Sequence, residues 1–357
     1  MSYDADVIIV GGGLAGACAA FRLSPHFDVY LLEAETPAAG ASGAAAGLVN
    51  PFVGRRARPV WRLREALDAV SSLVADAGVP NLFPPRGVLR PVIEDDQEAP
   101  FREAAAEYPD LAQWLSPAEV ADRVPAVQTD VGGFFVPRGG SIDVAALVRA
   151  VLDAAVERGA TVETQAPVLY WRETPSAAVV EAERGDDTEE LRADRVILAL
   201  GQGHPPFPEL RRLGLEGVKG QTVRVRRPEA LPTPLLPLSG HGYVVPDGDT
   251  LILGSNYNNN FNNLDPDPDA TAYIREKTAR MVPGVDTADV VEVRAGVRVK
   301  HTNTNLPILG PLPQRTRLWT FTALGSKGLL TAPILAEALP TYLADPATIP
   351  EAVQIPS

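Results

Sequence analysis

Two hydrophobic rhythms divide this chain. DVIIV (residues 6–10) and VYLL within FDVYLLEAE (27–35) are nearly continuous apolar runs. Runs of this kind suit strands buried on both faces of a parallel sheet. ACAAFRLS, between them, has helical character, so residues 6–33 predict a βαβ unit. Beyond VKGQTVRVRR the rhythm changes to alternation, in GYVVP, TLILGSNYN and VVEVRAGVRVK. Alternation predicts antiparallel strands with one covered face. In VVEVRAGVRVK it places Arg294, Gly296, Arg298 and Lys300 on one side.

Helical periodicity marks PVWRLREALDAVSSLVADAG and FREAAAEY. SIDVAALVRAVLDAAVERGATVE reads as helix, turn and strand, with Ser141 as N-cap and Gly159 as the stop. LRADRVILALGQG is a strand closed by a glycine turn, and LWTFTALGSKGLLTAPILAEAL is strand, glycine turn and helix. NYNNNFNNLDPDPD is polar and low in complexity, which predicts a mobile loop beside a site. No repeat of solenoid period is present. The expected fold class is mixed α/β: a Rossmann-like dinucleotide-binding domain with a second, largely antiparallel β-sheet substrate domain. The expected bounds are 1–84, 140–217 and 300–357 for the first, and 85–139 and 218–299 for the second.

The first turn carries chemistry. Gly11-x-Gly13-x-x-Gly16 follows a strand and opens a helix, with Glu33 about twenty residues on. Gly11 permits the tight turn, Gly13 lets a pyrophosphate approach the backbone, and Gly16 lets helix and sheet pack closely. The helix start offers unpaired N–H groups to the phosphates, and Glu33 can accept from a ribose diol. GASGAAAGLVNP (40–51) follows the ribose-binding strand. It reads as backbone laid against the cofactor, with Ser42, Gly43 and Gly47 nearest, or as a tightly packed helix; a linker fits less well. Ala199 and Gly201, at the next sheet edge, face adenosine or pyrophosphate, or simply end a strand.

Composition narrows the partners. A net charge of −13 argues against nucleic acid, whose phosphates need a basic surface. The lysines are only Lys219, Lys277, Lys300 and Lys327, a pattern also expected of a salt-adapted or GC-rich source. Cys18, alone, cannot form an internal disulfide, which fits a cytoplasmic protein, and it reads as a small core residue. No window nears the roughly eighteen continuous apolar residues of a membrane span. The N-terminus, with Asp4 and Asp6, reads as a first strand rather than a signal peptide.

VIIVGGGLAGACAA, GASGAAAGLVNP, VPRGGSIDVAALVRAV, ADRVILALGQG, GYVVP, RAGVRVKHTNTNLPILG and ALGSKGLLTAP together resemble the D-amino-acid oxidase/glycine oxidase family over nearly the whole chain. GHGYVVP, LGSNYNNNFNNLDPD and LGSKGLLTAP look most like the oxidase half of the bifunctional enzyme that modifies the wobble uridine of bacterial tRNA; no methyltransferase half is present. The resemblance implies FAD, and oxidation of a C–N bond by hydride transfer to flavin N5, with oxygen as the usual acceptor. The cofactor positions it implies are Gly11, Gly13, Leu14, Ala15, Gly16, Glu33, Ala34, Ser42, Gly43, Ala46, Gly47, Val168, Ala199, Gly201 and Arg298, and the turn Gly325, Ser326, Lys327, Gly328 and Leu329. The catalytic positions it implies are Arg298, as the substrate-carboxylate clamp, Tyr243 and Lys327.

Alternatives stand beside these roles. Arg298 could be a solvated or ion-paired strand residue, with Arg294 of the same parity as its competitor, and Tyr243 could be a core aromatic. His241 and His301 read as structural hydrogen-bonders and His26 as a surface residue. Lys327 either assists oxygen reduction or sits near phosphate or solvent. Departures from the family are Ser326 and Lys327 where glycine oxidases have Arg-Asn, Gln202 to His204 in place of a tryptophan, and Asn305 in place of an acid.

The first functional expectation is a stand-alone oxidase of a small carboxylate-bearing amine, such as glycine, a sarcosine-like amine or a D-amino acid. The second is a tRNA-modifying oxidase acting on a carboxymethylaminomethyl group. The third is a flavin-binding protein without turnover. An oligomer is compatible with all three.

Overall fold

The computed structural model describes residues 3–204 and 206–356. Its first sheet is built around the strand Ala5–Val10, which pairs in parallel with Val29–Leu32 on one side and Asp187–Leu198 on the other. Thr161–Glu163 extends the sheet beyond Val29–Leu32. The far half of Asp187–Leu198 pairs in parallel with Leu318–Thr322, while its near half turns back onto the antiparallel strands Ala178–Arg184 and Val168–Glu173. The central strands are apolar on both faces because both faces are covered.

On one face lie the helices Leu14–Leu23, Val144–Glu157, Leu63–Asp76 and Gly328–Ala344, sharing a single core with the sheet. Leu14–Leu23 sits between Val144–Glu157 and Gly328–Ala344 and is buried at nine of its ten residues. Cys18 lies there, fully buried, and burial pushes its thiol up to about 12, so it is an inert core residue. The N-cap of Val144–Glu157 is Asp143, whose carboxylate accepts from the Ala146 N–H at 2.9 Å. Ser141, the expected cap, instead pairs with Leu48 in a short two-stranded ladder. An acceptor two residues nearer the helix displaces it.

The second sheet has eight strands in the order Val290–His301, Leu215–Arg226, Thr250–Gly254, Gly242–Asp247, Leu238–Gly240, Val88–Pro91, Gly133–Val136 and Gln113–Leu115. All of its pairings are antiparallel except Leu238 to Leu89. One face packs on the helix Pro268–Ala279 and the segment after it through Val223, Val225, Val244, Leu253, Ile274 and Met281. The other face turns toward the first domain. Arg90, only 3% exposed, links the two: it donates to the carbonyls of Phe52 (2.8 Å) and Gly54 and lies 4.8 Å from the Phe101 ring centre.

The run GASGAAAGLVNP lies between the sheets. Ala41–Ala44 is one short helical turn. A Cβ on Gly296 would come within 2.9 Å of the Ala44 methyl and 3.1 Å of the Ala41 Cα. Arg294 donates to the Gly43 carbonyl at 3.1 Å and Thr222 to the Ala44 carbonyl at 3.3 Å. At Gly47 a Cβ would fall 1.6 Å from the Ile142 carbonyl oxygen. The missing side chains therefore let backbone pass between two sheets. The space Gly296 clears is taken by this turn.

Candidate active site

The first strand–helix turn forms a cradle. Gly11 has φ +111°, and a Cβ there would meet the Ala199 carbonyl oxygen at 2.5 Å. A Cβ on Gly16 would lie 1.9 Å from the Gly11 carbonyl oxygen, so only glycine allows this approach of helix to strand. Gly13 differs: its Cβ direction is open, with Ser42 Oγ at 3.4 Å as the nearest atom. Ser42 Oγ accepts from the Leu14 N–H at 3.1 Å, bringing the small-residue turn to the helix start. Glu33 accepts from the N–H groups of Gly12 (2.5 Å) and Glu35 (2.9 Å), which fixes its carboxylate at the cradle's edge. An open glycine backbone, a helix N-terminus and a fixed carboxylate suit a pyrophosphate joined to a ribose.

The other positions lie around this frame. Ala15 and Ala46 are buried, Ala34 is exposed, and Val168 starts an antiparallel strand opposite Ala182. Gly201 is exposed, with no atom within 4 Å of its Cβ direction.

A second centre lies on the inner face of the antiparallel sheet. Arg298 donates to the Asn256 carbonyl at 2.9 Å and to Ser255 Oγ at 3.3 Å, and its guanidinium is 4.4 Å from the Tyr257 ring centre. Its neighbour across the ladder is Val218, and the space for its head group comes from Gly220, where a Cβ would fall 1.6 Å from Nη2. Arg298 has no carboxylate partner within 4.0 Å among the described residues. Arg294 is committed elsewhere, to Glu292 at 2.7 Å and to the Gly43 carbonyl. Two residues of equal parity thus have different surroundings.

Tyr243 faces Gly254 across the ladder, and a Cβ on Gly254 would overlap its ring. Burial pushes the Tyr243 phenol up to about 12, although Arg298 and the Ser255 hydroxyl both pull it down. A phenol in that state is a hydrogen-bond donor rather than a base near neutral pH. Lys277, on Pro268–Ala279, donates to the Ser255 carbonyl, and its Nζ lies 4.8 Å from the Tyr273 ring centre.

A cavity of about 260 Å³ opens beside Arg298 and Tyr257 and runs to the turn at Gly325, Ser326 and Lys327. Arg298, Lys300 and Lys327 line it, and no carboxylate does among the described residues. Lys300 is paired with Glu216 at 2.9 Å. Lys327 is the N-cap of Gly328–Ala344 and donates to the Asn305 carbonyl at 3.1 Å; burial holds its ammonium below the usual lysine range. The walls suit an anionic or electron-rich occupant.

His301 and His241 make hydrogen-bond contacts within the protein. His301 Nδ1 accepts from the N–H groups of Asn303 and Thr304, both at 3.2 Å. His241 lies 2.8 Å from Glu94, which also pairs with Arg280.

The polar loop is anchored at both ends, while residues 259–264 between them are largely exposed. Lys219 and Asn258 exchange two backbone hydrogen bonds of 2.9 Å, and Lys219 Nζ donates to the Asp265 carbonyl at 2.6 Å. Gln221 binds Asn256 at one end of the loop and Asp267 at the other. These ties place Tyr257 over Arg298. Gly220, Ser255, Tyr257 and Lys277 were not expected from the sequence. Ser255 and Tyr257 lie in LGSNYNNNFNNLDPD, a stretch that carries the resemblance without assigning them a role, Lys277 lies in no motif, and their convergence depends on the sheet register.

The family described as FAD dependent oxidoreductase (DAO) matches residues 6–340. The tRNA 5-methylaminomethyl-2-thiouridine biosynthesis bifunctional protein MnmC of Idiomarina loihiensis is 29% identical over 96% of this chain, which spans 56% of that protein. The chain thus spans about half the length of the first such relatives. Glycine oxidase of Geobacillus kaustophilus is 26% identical over 94% of this chain and 91% of its own. The crystal structure of glycine oxidase from the same organism superposes with a TM-score of 0.82, covering 97% of this chain and 95% of that one at 23% identity, and so shows the same fold. No helix among the described residues is long and apolar enough to cross a membrane.

Proposed function

The chain belongs to the DAO family of FAD-dependent oxidoreductases, and from that premise we propose that it oxidises the C–N bond of a small amine bearing a carboxylate, with glycine, sarcosine-like amines and D-amino acids as candidates. The carrying observation is Arg298: a guanidinium held by a carbonyl, a hydroxyl and an aromatic face, in a cation-lined cavity, without a carboxylate of its own. Planar paired donors of permanent charge are what a substrate carboxylate needs. Glycine oxidase, similar over most of both chains, points the same way.

The cofactor would be held by Gly11, Gly13 and Leu14 at its phosphates, Glu33 at its ribose, and Ser42, Gly43 and the Gly325–Leu329 turn toward the flavin. Bound there, FAD supplies the acceptor for a hydride from the carbon beside nitrogen, and oxygen is the proposed final acceptor. The chain's own part is orientation. Arg298 holds the carboxylate, Tyr243 donates a hydrogen bond, and Lys327 brings positive charge to the helix start facing the flavin. No protein base is required, because a neutral amine needs only correct placement.

Purified protein is expected to be yellow and to release FAD on denaturation. An anaerobic screen of glycine, sarcosine, D-alanine and their decarboxylated amines should bleach the flavin much faster with the carboxylate-bearing members than with the amines lacking the carboxylate. Equal bleaching by the decarboxylated amines would remove the carboxylate from the proposal.

The second reading, oxidation of a carboxymethylaminomethyl group on tRNA, is favoured by the similarity to the bifunctional tRNA proteins. The charge of −13 disfavours it unless a basic partner supplies the nucleic-acid surface. Little affinity for tRNA is expected in a low-salt gel shift. Binding tighter than about micromolar, with turnover of modified tRNA, would put this reading first.

A further inference from the structure

We infer that Lys277 is a second cation of the carboxylate site, positioning the Arg298 clamp through Ser255 and adding its own field to the binding of an anionic substrate. The inference rests on the proposed clamp role of Arg298. Lys277 comes from the helix on the opposite side of the sheet and reaches over the strand end at Gly242, where a Cβ would lie 2.9 Å from its Cε. Its ammonium donates to the Ser255 carbonyl, while the Ser255 hydroxyl accepts from Arg298. One residue therefore joins the two cations.

Neither cation is neutralised. No carboxylate lies within 4.0 Å of Lys277 Nζ among the described residues. The groups facing it are the Tyr273 ring from its own helix, the Ser255 carbonyl, the Gly242–Tyr243 strand start and, from Val290–His301, Arg298. Glu94, past the same turn, is already engaged by Arg280 and His241 at 2.8 Å each. Two like charges kept together and partly desolvated raise each other's energy, and an arriving anion relieves both. The balancing charge belongs to the ligand. Lys277 shows the strain: burial, with the Arg298 charge adding to it, holds its ammonium down to about 8.

The sign of the pH dependence follows. A bound carboxylate raises the ammonium's pKa, so it binds best to the protonated form. Affinity is then full below about pH 8 and falls as pH rises through that value.

The test uses the FAD-loaded protein, with acetate as a probe that carries no amine and binding read from the flavin's visible spectrum. Lys277→Met should raise the acetate Kd about 5- to 30-fold, the field of one charge at intermediate dielectric, and should flatten the pH dependence. Lys277→Arg should retain most of the affinity. With whichever amino acid bleaches the flavin, Lys277→Met should raise KM in proportion and leave kcat nearly unchanged, while its decarboxylated amine is unaffected. An unchanged acetate Kd, or equal losses on amino acid and amine, would overturn the inference. The unsubstituted protein gives an independent check, since acetate affinity that is flat from pH 7 to 9 also overturns it. Arg298→Met separates the two levels. If it weakens acetate and Lys277→Met does not, only Lys277 falls; if neither matters, the clamp falls too.

Discussion

Arg298→Ala is expected to lose about 2–5 kcal/mol of substrate binding, the range for truncating one partner of a buried hydrogen-bonded charge pair. That is a rise in KM of about 30-fold to a few thousand-fold, confined to carboxylate-bearing substrates. FAD content and thermal stability should survive, because the guanidinium touches Ser255, Asn256 and Tyr257 rather than the glycine cradle. Lysine should rescue only partly, since it lacks the planar fork. Steady-state kinetics on an amino acid and its decarboxylated amine, with both proteins, provide the measurement. Loss of equal size on both substrates, or release of the flavin, would make Arg298 structural.

The same claim can be tested without removing the charge. A methyl group at Gly220 would fall 1.6 Å from Nη2 and 2.6 Å from Cζ of Arg298. The displaced group is the far end of a flexible side chain, so Gly220→Ala should fold and push the guanidinium aside. Its kinetic profile should be a milder copy of Arg298→Ala.

How much of this was legible in the sequence depends on how local each feature is. The glycine fingerprint, the strand before it and Glu33 sit within one βαβ unit, so spacing alone describes them. The shared parity of Arg294 and Arg298 is equally local, a period of two along one strand. What distinguishes them is not local. Arg294 meets Glu292 and the Gly43 carbonyl, whereas Arg298 meets a loop anchored by Lys219 and Gln221. That loop reads as mobile from its asparagines, because its anchors lie in another strand. Lys277 was invisible for a stronger reason: it is an ordinary lysine on a helix of polar composition, and only sheet register and helix docking bring it to Ser255. The small-residue run at 40–51 lay between these cases. Its closeness to backbone was readable, but whether a cofactor or another strand lay against it was not.

The glycine turn yields a prediction in which two neighbouring glycines behave differently. At Gly16 a methyl group would sit 1.9 Å from the Gly11 carbonyl oxygen and 3.4 Å from the Ile9 side chain. The obstacle is backbone, held by the hydrogen bond from the Gly11 N–H to the Leu32 carbonyl and by the buried helix it begins. Neither partner can yield cheaply, so Gly16→Ala should cost about 3 kcal/mol or more in stability, at the upper end for overpacking, and abolish flavin binding with it. Gly13 has φ −81°, and its Cβ direction meets nothing nearer than Ser42 Oγ at 3.4 Å. Gly13→Ala should therefore leave the melting temperature of the FAD-free protein within a few degrees of the original. What it should lose is FAD affinity, because the methyl group projects where a pyrophosphate must approach the backbone. Melting curves with and without added FAD distinguish the outcomes: Gly16→Ala melts low in both, and Gly13→Ala loses only the rise that FAD confers. If Gly13→Ala keeps the full FAD-induced rise, the phosphates lie elsewhere and the cradle has been assigned to the wrong turn.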